Sequence, residues 1–171
     1  RFRLVIATAR PGGFEEPAAA WWMADAIEAL VIVGERAEAE DLTDWLEERA
    51  RAIDRPTGLA AAARCRALLA SRSSPDEALA MCDEALAHHD RAPSPFSRGR
   101  TVFVKGQIAR RARKWGIART ELNEALDVFE HMGAALWVER ARDELARIGG
   151  RRASLVELTE SERRIAELVA T

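Results

Sequence analysis

Apolar residues recur along this chain at spacings of three and four positions, with polar residues between them. Such spacing places an apolar stripe along one face of a helix. The clearest stripe includes Ala118, Leu122, Ala125, Leu126 and Phe129. Alternation of apolar and polar residues over the length of a strand is not found. The pattern therefore predicts an all-α fold.

Turn-forming residues separate the predicted helices and set their boundaries. Glycine, proline and serine interrupt the apolar periodicity, since they favour helix ends and starts. The interruptions are Gly34, Pro56, Ser73-Ser74, Pro93-Ser-Pro95, Gly133 and Gly149-Gly150. The predicted helices are 18–33, 36–52, 57–71, 75–91, 96–113, 115–131, 134–148 and 159–171.

A repeat of about forty residues runs through the chain. Three similar segments carry a small residue at Ala39, Ala78 and Ala118, at spacings of 39 and 40. A constant period of this length indicates stacked helix pairs. In the third unit Gly106 precedes Ala118 by twelve positions, and small residues there let two helices approach closely. This pattern resembles a lengthened tetratricopeptide repeat, although the first two units lack the glycine.

The segment from Leu158 to Thr171 has the features of a helix start. Thr159 can cap the helix and Glu162 can complete a capping box. The segment resembles the opening of the LuxR-type helix-turn-helix domain. The matching residues are Leu158, Thr159, Glu162, Arg163, Ile165, Leu168, Val169 and Ala170.

This resemblance implies a piece of a large bacterial LuxR-type regulator. Such regulators carry an ATPase module, then a helical repeat region, then the DNA-binding domain. The expected organisation is a tetratricopeptide-like helical-hairpin solenoid over 1–148, a linker over 149–157, and the first helix of the DNA-binding domain over 158–171. Any ATPase would lie upstream, so this chain is not expected to be an enzyme.

The resemblance also implies the partners. The full-length regulator would bind DNA and regulate transcription, and its repeat surface would bind an effector ligand or a protein. The recognition helix that enters the major groove is not within these residues, so specific operator binding by this chain alone is not expected. The alternative is a protein-interaction scaffold without DNA binding, in which helix 159–171 caps the repeat array.

Composition restricts the partners further. Charged residues make up 32% and apolar residues 48% of the 171 residues, and the formal net charge is −2. A chain of this charge has no overall positive field for nucleic acid or anionic lipid. No apolar run approaches the roughly eighteen residues of a membrane span. We expect no membrane partner and a cytoplasmic location.

A basic stretch in the third unit is a candidate anion or partner patch, because clustered Lys and Arg side chains can contact phosphates or other anions. The candidate residues are Arg98, Arg100, Lys105, Arg110, Arg111, Arg113 and Lys114. The alternative is an ordinary surface paired with acidic residues of adjacent helices. The acidic stretch Glu35 to Glu48 is interpreted as a solvated helix face.

Residue types that carry catalysis or bind metals are sparse. No glycine-rich phosphate loop is present. His88 and His89 point to different helix faces, and Cys65 and Cys82 are expected to be packed core thiols. We therefore expect no catalytic, cofactor or metal site. The five tryptophans either line a ligand groove or pack between helix pairs.

The repeat assignment predicts the effect of one substitution. Leu122 lies at the centre of the apolar stripe in the third unit, so Leu122→Asp would place a carboxylate in the core and unfold that unit. Thermal unfolding followed by circular dichroism measures the effect. An unchanged melting temperature would contradict the repeat assignment.

Overall fold

A computed structural model describes the backbone of residues 22–156 and the side chains of residues 22–148. Within this range the chain forms seven helices joined by short turns, and it forms no strand. The prediction of an all-α fold is confirmed. The helices are α1 Met23–Val33, α2 Arg36–Ala52, α3 Pro56–Ala70, α4 Pro75–Arg91, α5 Pro95–Arg111, α6 Trp115–His131 and α7 Ala135–Val156.

The helix boundaries follow the turn residues in the sequence. Pro56, Pro75 and Pro95 begin α3, α4 and α5, where a missing backbone N–H costs nothing because helix starts leave that donor unpaired. Gly34 ends α1 with φ +86°. This left-handed conformation suits glycine and lets its N–H donate to the last carbonyls of the helix. Gly133 adopts φ +65° in the turn before α7.

The helices pack in a regular order. Each even-numbered helix packs against the odd-numbered helices that precede and follow it in the chain, and α3–α4 and α5–α6 form the most extensive pairs. The odd-numbered helices also contact one another, α1 with α3, α3 with α5 and α5 with α7. The odd-numbered helices therefore form a layer of their own.

The apolar stripes form two adjoining core clusters. One joins α1, α2 and α3, and the other extends from α3 to α7. Cys65 lies in the first cluster and Cys82 in the second, both fully buried. Burial raises the pKa of each thiol to about 12. The prediction that both cysteines are packed core thiols is confirmed.

Two glycines of α5 allow the close approach of α6. A Cβ added to Gly106 would lie 2.6 Å from Cγ of Leu122, and one added to Gly99 would lie 2.8 Å from Cγ1 of Val128. Both distances are too short for an ordinary contact between carbon atoms. Ala118, twelve positions after Gly106, is fully buried. The two glycines thus limit the separation of these helices, and the measured contact of Gly106 is with Leu122.

The end of α7 differs from the prediction. We expected a helix over 134–148 and a linker over 149–157, but α7 continues to Val156 through Gly149 and Gly150. Glycine costs about 1 kcal/mol relative to alanine inside a helix, which weakens a helix without forbidding it. The predicted helix end at 148 is wrong. The predicted start at 18 lies outside the described residues, and the remaining helix boundaries agree to within two residues. The helix predicted at 159–171 and the DNA-binding segment 158–171 lie outside the described residues.

The contact between Gly106 and Leu122 predicts opposite effects for two glycine substitutions. Gly106→Ala should lower the free energy of unfolding, because overpacking costs roughly 1–3 kcal/mol and the gain in helix propensity is only about 1 kcal/mol. Gly116→Ala is the matched control, since a Cβ there meets no atom within 4 Å. It should leave stability unchanged or raise it slightly. Urea unfolding measures both, and equal changes would show that the close approach does not limit packing.

Candidate functional site

The odd-numbered helices line a groove of about 650 Å³. The start of α2 and the turn after α3 complete its edge. A volume of this size lies within the range of small-molecule binding sites. Its apolar wall includes Val31, Ile32, Leu68, Phe103, Val104 and Trp137.

Positive charge is concentrated in this groove. Five arginines line it, Arg36, Arg72, Arg100, Arg111 and Arg140, together with one carboxylate, Glu28. The whole chain has a formal net charge of −2. The groove is therefore positively charged on a chain that is slightly acidic.

A buried arginine joins the helices beneath the groove. The side chain of Arg64, on α3, is 1% exposed. Its Nε donates to Oε1 of Glu28 on α1 at 3.1 Å. Its Nη1 donates to Oγ1 of Thr101 at 3.4 Å and to Oγ of Ser97 at 3.3 Å, both on α5. One guanidinium thus links three odd-numbered helices.

Glu28 also binds a second arginine. Nη2 of Arg100, on α5, lies 2.9 Å from Oε1 of Glu28 and 2.5 Å from Oδ1 of Asp25. Burial acts to raise the pKa of Glu28, but the charges of Arg64 and Arg100 outweigh it and hold the pKa below its ordinary value. Glu28 is therefore ionised and already shared between two guanidinium groups.

Aromatic rings hold the guanidinium groups at one end of the groove. The guanidinium carbon of Arg140 lies 4.2 Å from the ring centroid of Trp137 and 5.4 Å from that of Phe103. Arg100 lies 5.1 Å from the Trp137 centroid. A cation–π contact uses the face of the guanidinium, so its in-plane N–H groups stay free to donate. No described carboxylate lies within ion-pair distance of Arg140.

A second group of arginines lies at the other end of the groove. Arg72 follows α3 and Arg111 ends α5, and neither forms an ion pair with a described carboxylate. Partial desolvation lowers the pKa of Arg111. The charges of Arg110, Arg72 and Arg147 lower it further, against the opposing effect of Glu144. Uncompensated positive charge therefore accumulates around Arg111.

The structure divides the basic residues of the candidate patch. Five of the seven form ion pairs with acids of other helices, which matches the alternative of an ordinary paired surface. The pairs are Arg98–Glu124, Arg100 with Asp25 and Glu28, Lys105 with Asp83 and Glu121, Arg110–Glu144 and Lys114–Asp76. Arg113 is exposed in the turn after α5, with φ +60°. Of the seven, Arg100 and Arg111 line the groove.

Sequence reasoning missed Arg36, Arg72 and Arg140 as groove residues. The signal was present in the repeat. Arg72 and Arg111 are 39 positions apart, and Arg100 and Arg140 are 40 positions apart, which equals the period of the repeat. Equivalent positions in successive repeats lie on the same face of the layer, so an alignment of charged residues by repeat would have found Arg72 and Arg140, but not Arg36.

None of the histidines, and none of the described tryptophans other than Trp137, lines the groove. His89 is 2% exposed, and its Nε2 lies 3.1 Å from Oγ1 of Thr101. His131 is exposed in the last turn of α6. Trp45 packs against Arg49. Among the described tryptophans, Trp137 lines the groove.

Within residues 22–156 no group of three or more His, Cys, Asp or Glu side chains is placed to hold a metal ion. In the same range no helix combines the length and the apolar character needed to cross a membrane. No protein-family model, curated protein or solved structure matches this chain. The charged groove is the feature from which a function can be argued.

The buried imidazole of His89 predicts a loss of stability in mild acid. Burial lowers its pKa to about 4, with the charge of Arg64 as the next largest cause. The unfolded chain has an ordinary histidine pKa near 6.5, so it binds a proton first as the pH falls. The contribution of His89 is fully present above pH 6.5 and decreases as the pH falls toward 4, by about 2 kcal/mol at pH 5.

Urea unfolding at pH 7 and pH 5 measures this effect. The wild type should lose about 2 kcal/mol more than His89→Gln, which cannot titrate in this range. His131→Gln removes an exposed imidazole and serves as the control. Its free energy of unfolding should fall between pH 7 and pH 5 by as much as that of the wild type. An equal loss in wild type and His89→Gln would contradict the prediction.

Proposed function

We propose that this chain is a tetratricopeptide-like repeat module whose inner surface binds an effector. In this proposal the odd-numbered helices form the concave face of a helical-hairpin solenoid. The mutual contacts of those helices, the period of about forty residues and the close approach of Gly106 to Leu122 support it. Solenoids of this kind present concave binding surfaces built from several repeats.

We further propose that the module belongs to a bacterial LuxR-type transcriptional regulator located in the cytoplasm. The resemblance of 158–171 to the start of the helix-turn-helix domain supports this setting. DNA binding and the regulation of transcription would be activities of the full-length protein. The role of this chain would be to sense an effector ligand or a protein, without catalysis of its own.

The observation that carries the proposal is the set of arginines without carboxylate partners in the groove. Basic side chains elsewhere on α5 are paired with acids of neighbouring helices, as with Arg98, Lys105 and Arg110. Arg72, Arg111 and Arg140 have no such pair among the described residues. Three unpaired guanidinium groups gathered around one groove give an anionic ligand several donors at once.

Ligand binding in the groove would act on the arrangement of the repeats. An occupant that contacts α1, α3, α5 and α7 favours one relative position of those helices over others. Helix α7 both lines the groove and continues to Val156, toward the segment that resembles the DNA-binding domain. A change in the position of α7 at the groove would therefore be passed along this helix toward that segment.

A scaffold without DNA binding is the second candidate function. The continuation of α7 through 149–156 favours it, because a continuous helix there fits an array that ends in a capping helix. The groove would then bind a ligand or protein with no effect on transcription.

The coding sequence after Thr171 and a DNA footprint distinguish the two functions. The polypeptide extended to its natural stop should protect a discrete site in the DNA upstream of its own or neighbouring genes. Residues 1–171 alone, tested in parallel, should give no specific footprint, because the resemblance at 158–171 covers the opening of the helix-turn-helix domain and not its recognition helix. A stop codon directly after Thr171, or an extended protein that protects no site, would reject the regulator in favour of the scaffold.

A further inference from the structure

The groove also indicates the chemistry of its ligand, an inference that rests on the proposed function. We propose that it binds a small organic anion, a molecule with a carboxylate or phosphate group on an aliphatic or aromatic body. The arginines would bind the anionic group and the apolar wall would bind the body. This ligand class goes beyond the general proposal of an effector site.

The free hydrogen-bond donors of the groove select an anion. Arg72, Arg111 and Arg140 line the groove or its edge and have no carboxylate partner among the described residues. A guanidinium presents its N–H groups in a planar fork that matches a carboxylate or a phosphate. The lining carboxylate, Glu28, already binds Arg64 and Arg100. The positive charge of the groove therefore needs an anion from outside this set.

Part of this donor set is held in place before binding. Arg140 lies over the rings of Trp137 and Phe103, and Arg100 is fixed by Asp25 and the Trp137 ring. Side chains that are already ordered lose less conformational entropy when a ligand binds. The rings thus orient both guanidinium groups, and the N–H edge of Arg140 stays available for a ligand.

The apolar wall favours a ligand with a hydrophobic body over a bare inorganic ion. Val31, Leu68 and Val104 line the groove beside the arginines. Ile32 and Val33, at the end of α1, are 79% and 71% exposed and also line it. Side chains this exposed make few contacts within the protein, so a ligand body can cover them.

The size of the groove favours a small molecule over a macromolecule. About 650 Å³ suits a compact ligand, whereas stable protein partners need an interface of more than about 1,000 Å². Nucleic acid needs basic residues spread along an outer surface. Outside the groove the basic side chains of α5 are mostly paired with acids, and the chain has a formal net charge of −2.

Calorimetric titration of the 171-residue chain tests the inference with defined probes. The anionic probes are 4-phenylbutyrate and phenyl phosphate, and their comparison separates a carboxylate source from a phosphate source. The neutral counterpart is 4-phenylbutanamide, and acetate and inorganic phosphate lack the apolar body. At least one anionic probe should bind roughly tenfold or more tightly than the amide, and more tightly than acetate or inorganic phosphate.

Single substitutions locate the binding. Arg111→Gln and Arg140→Gln should each weaken the anionic probe roughly tenfold, the effect of losing one charge-assisted hydrogen bond. Both residues are exposed, so the variants should stay folded, which circular dichroism checks. Arg119→Gln removes an exposed arginine of α6 outside the groove and is the matched control. It should bind like the wild type.

Other outcomes overturn the inference, and they are distinguishable from a failure of the proposed function. If amide and acid bind equally and Ile32→Asp weakens both, the groove binds ligands but does not select anions. If acetate or inorganic phosphate binds as tightly as the larger probes, the ligand needs no apolar body and that part of the inference is wrong. If polyglutamate binds and none of the small probes does, the partner of the groove is an acidic polypeptide and not a small anion. If none of these compounds binds, the anion inference is wrong. The DNA footprint still tests, separately, whether the full-length protein is a transcriptional regulator.

Discussion

The ion pair between Arg64 and Glu28, with the other hydrogen bonds of the same guanidinium, joins three of the odd-numbered helices. A guanidinium at 1% exposure is strongly destabilising unless its donors find partners. Its partners lie on α1 and α5, while Arg64 itself is on α3. Polar contacts therefore join these three helices within the interior. Glu28 takes part in these contacts and also lines the groove, so the two are adjacent.

Arginine serves two purposes within this layer, and the difference lies in its counterions. Arg64 and Arg100 share Glu28 and belong to the framework. Arg111 and Arg140 face the groove without a carboxylate partner among the described residues. Since Glu28 is ionised and already occupied, it cannot neutralise them as well. Asp25 and Glu28 thus pair with Arg64 and Arg100, and the surface of the groove stays positively charged.

The helices were predictable from sequence because their signals are local, whereas the groove depends on contacts between distant residues. Pro75 and Gly34 mark helix ends by their own backbone chemistry, but Arg64 and Glu28 are 36 positions apart and no local pattern joins them. The basic stretch is continuous in sequence, but consecutive helix residues point in different directions, so its members do not form one patch. Gly149 misled for the opposite reason, because a weak local preference does not by itself end a helix.

In the proposed repeat array, the spacing of the groove arginines would let a ligand act on the rest of the protein. In a repeat array each unit contacts only its neighbours, so the interfaces between units control their relative positions. Arg72 and Arg111 come from successive repeats, as do Arg100 and Arg140. Like charges from two repeats repel across the groove, and an anion between them replaces that repulsion with attraction to both. Ligand binding would therefore act on the interface between successive repeats.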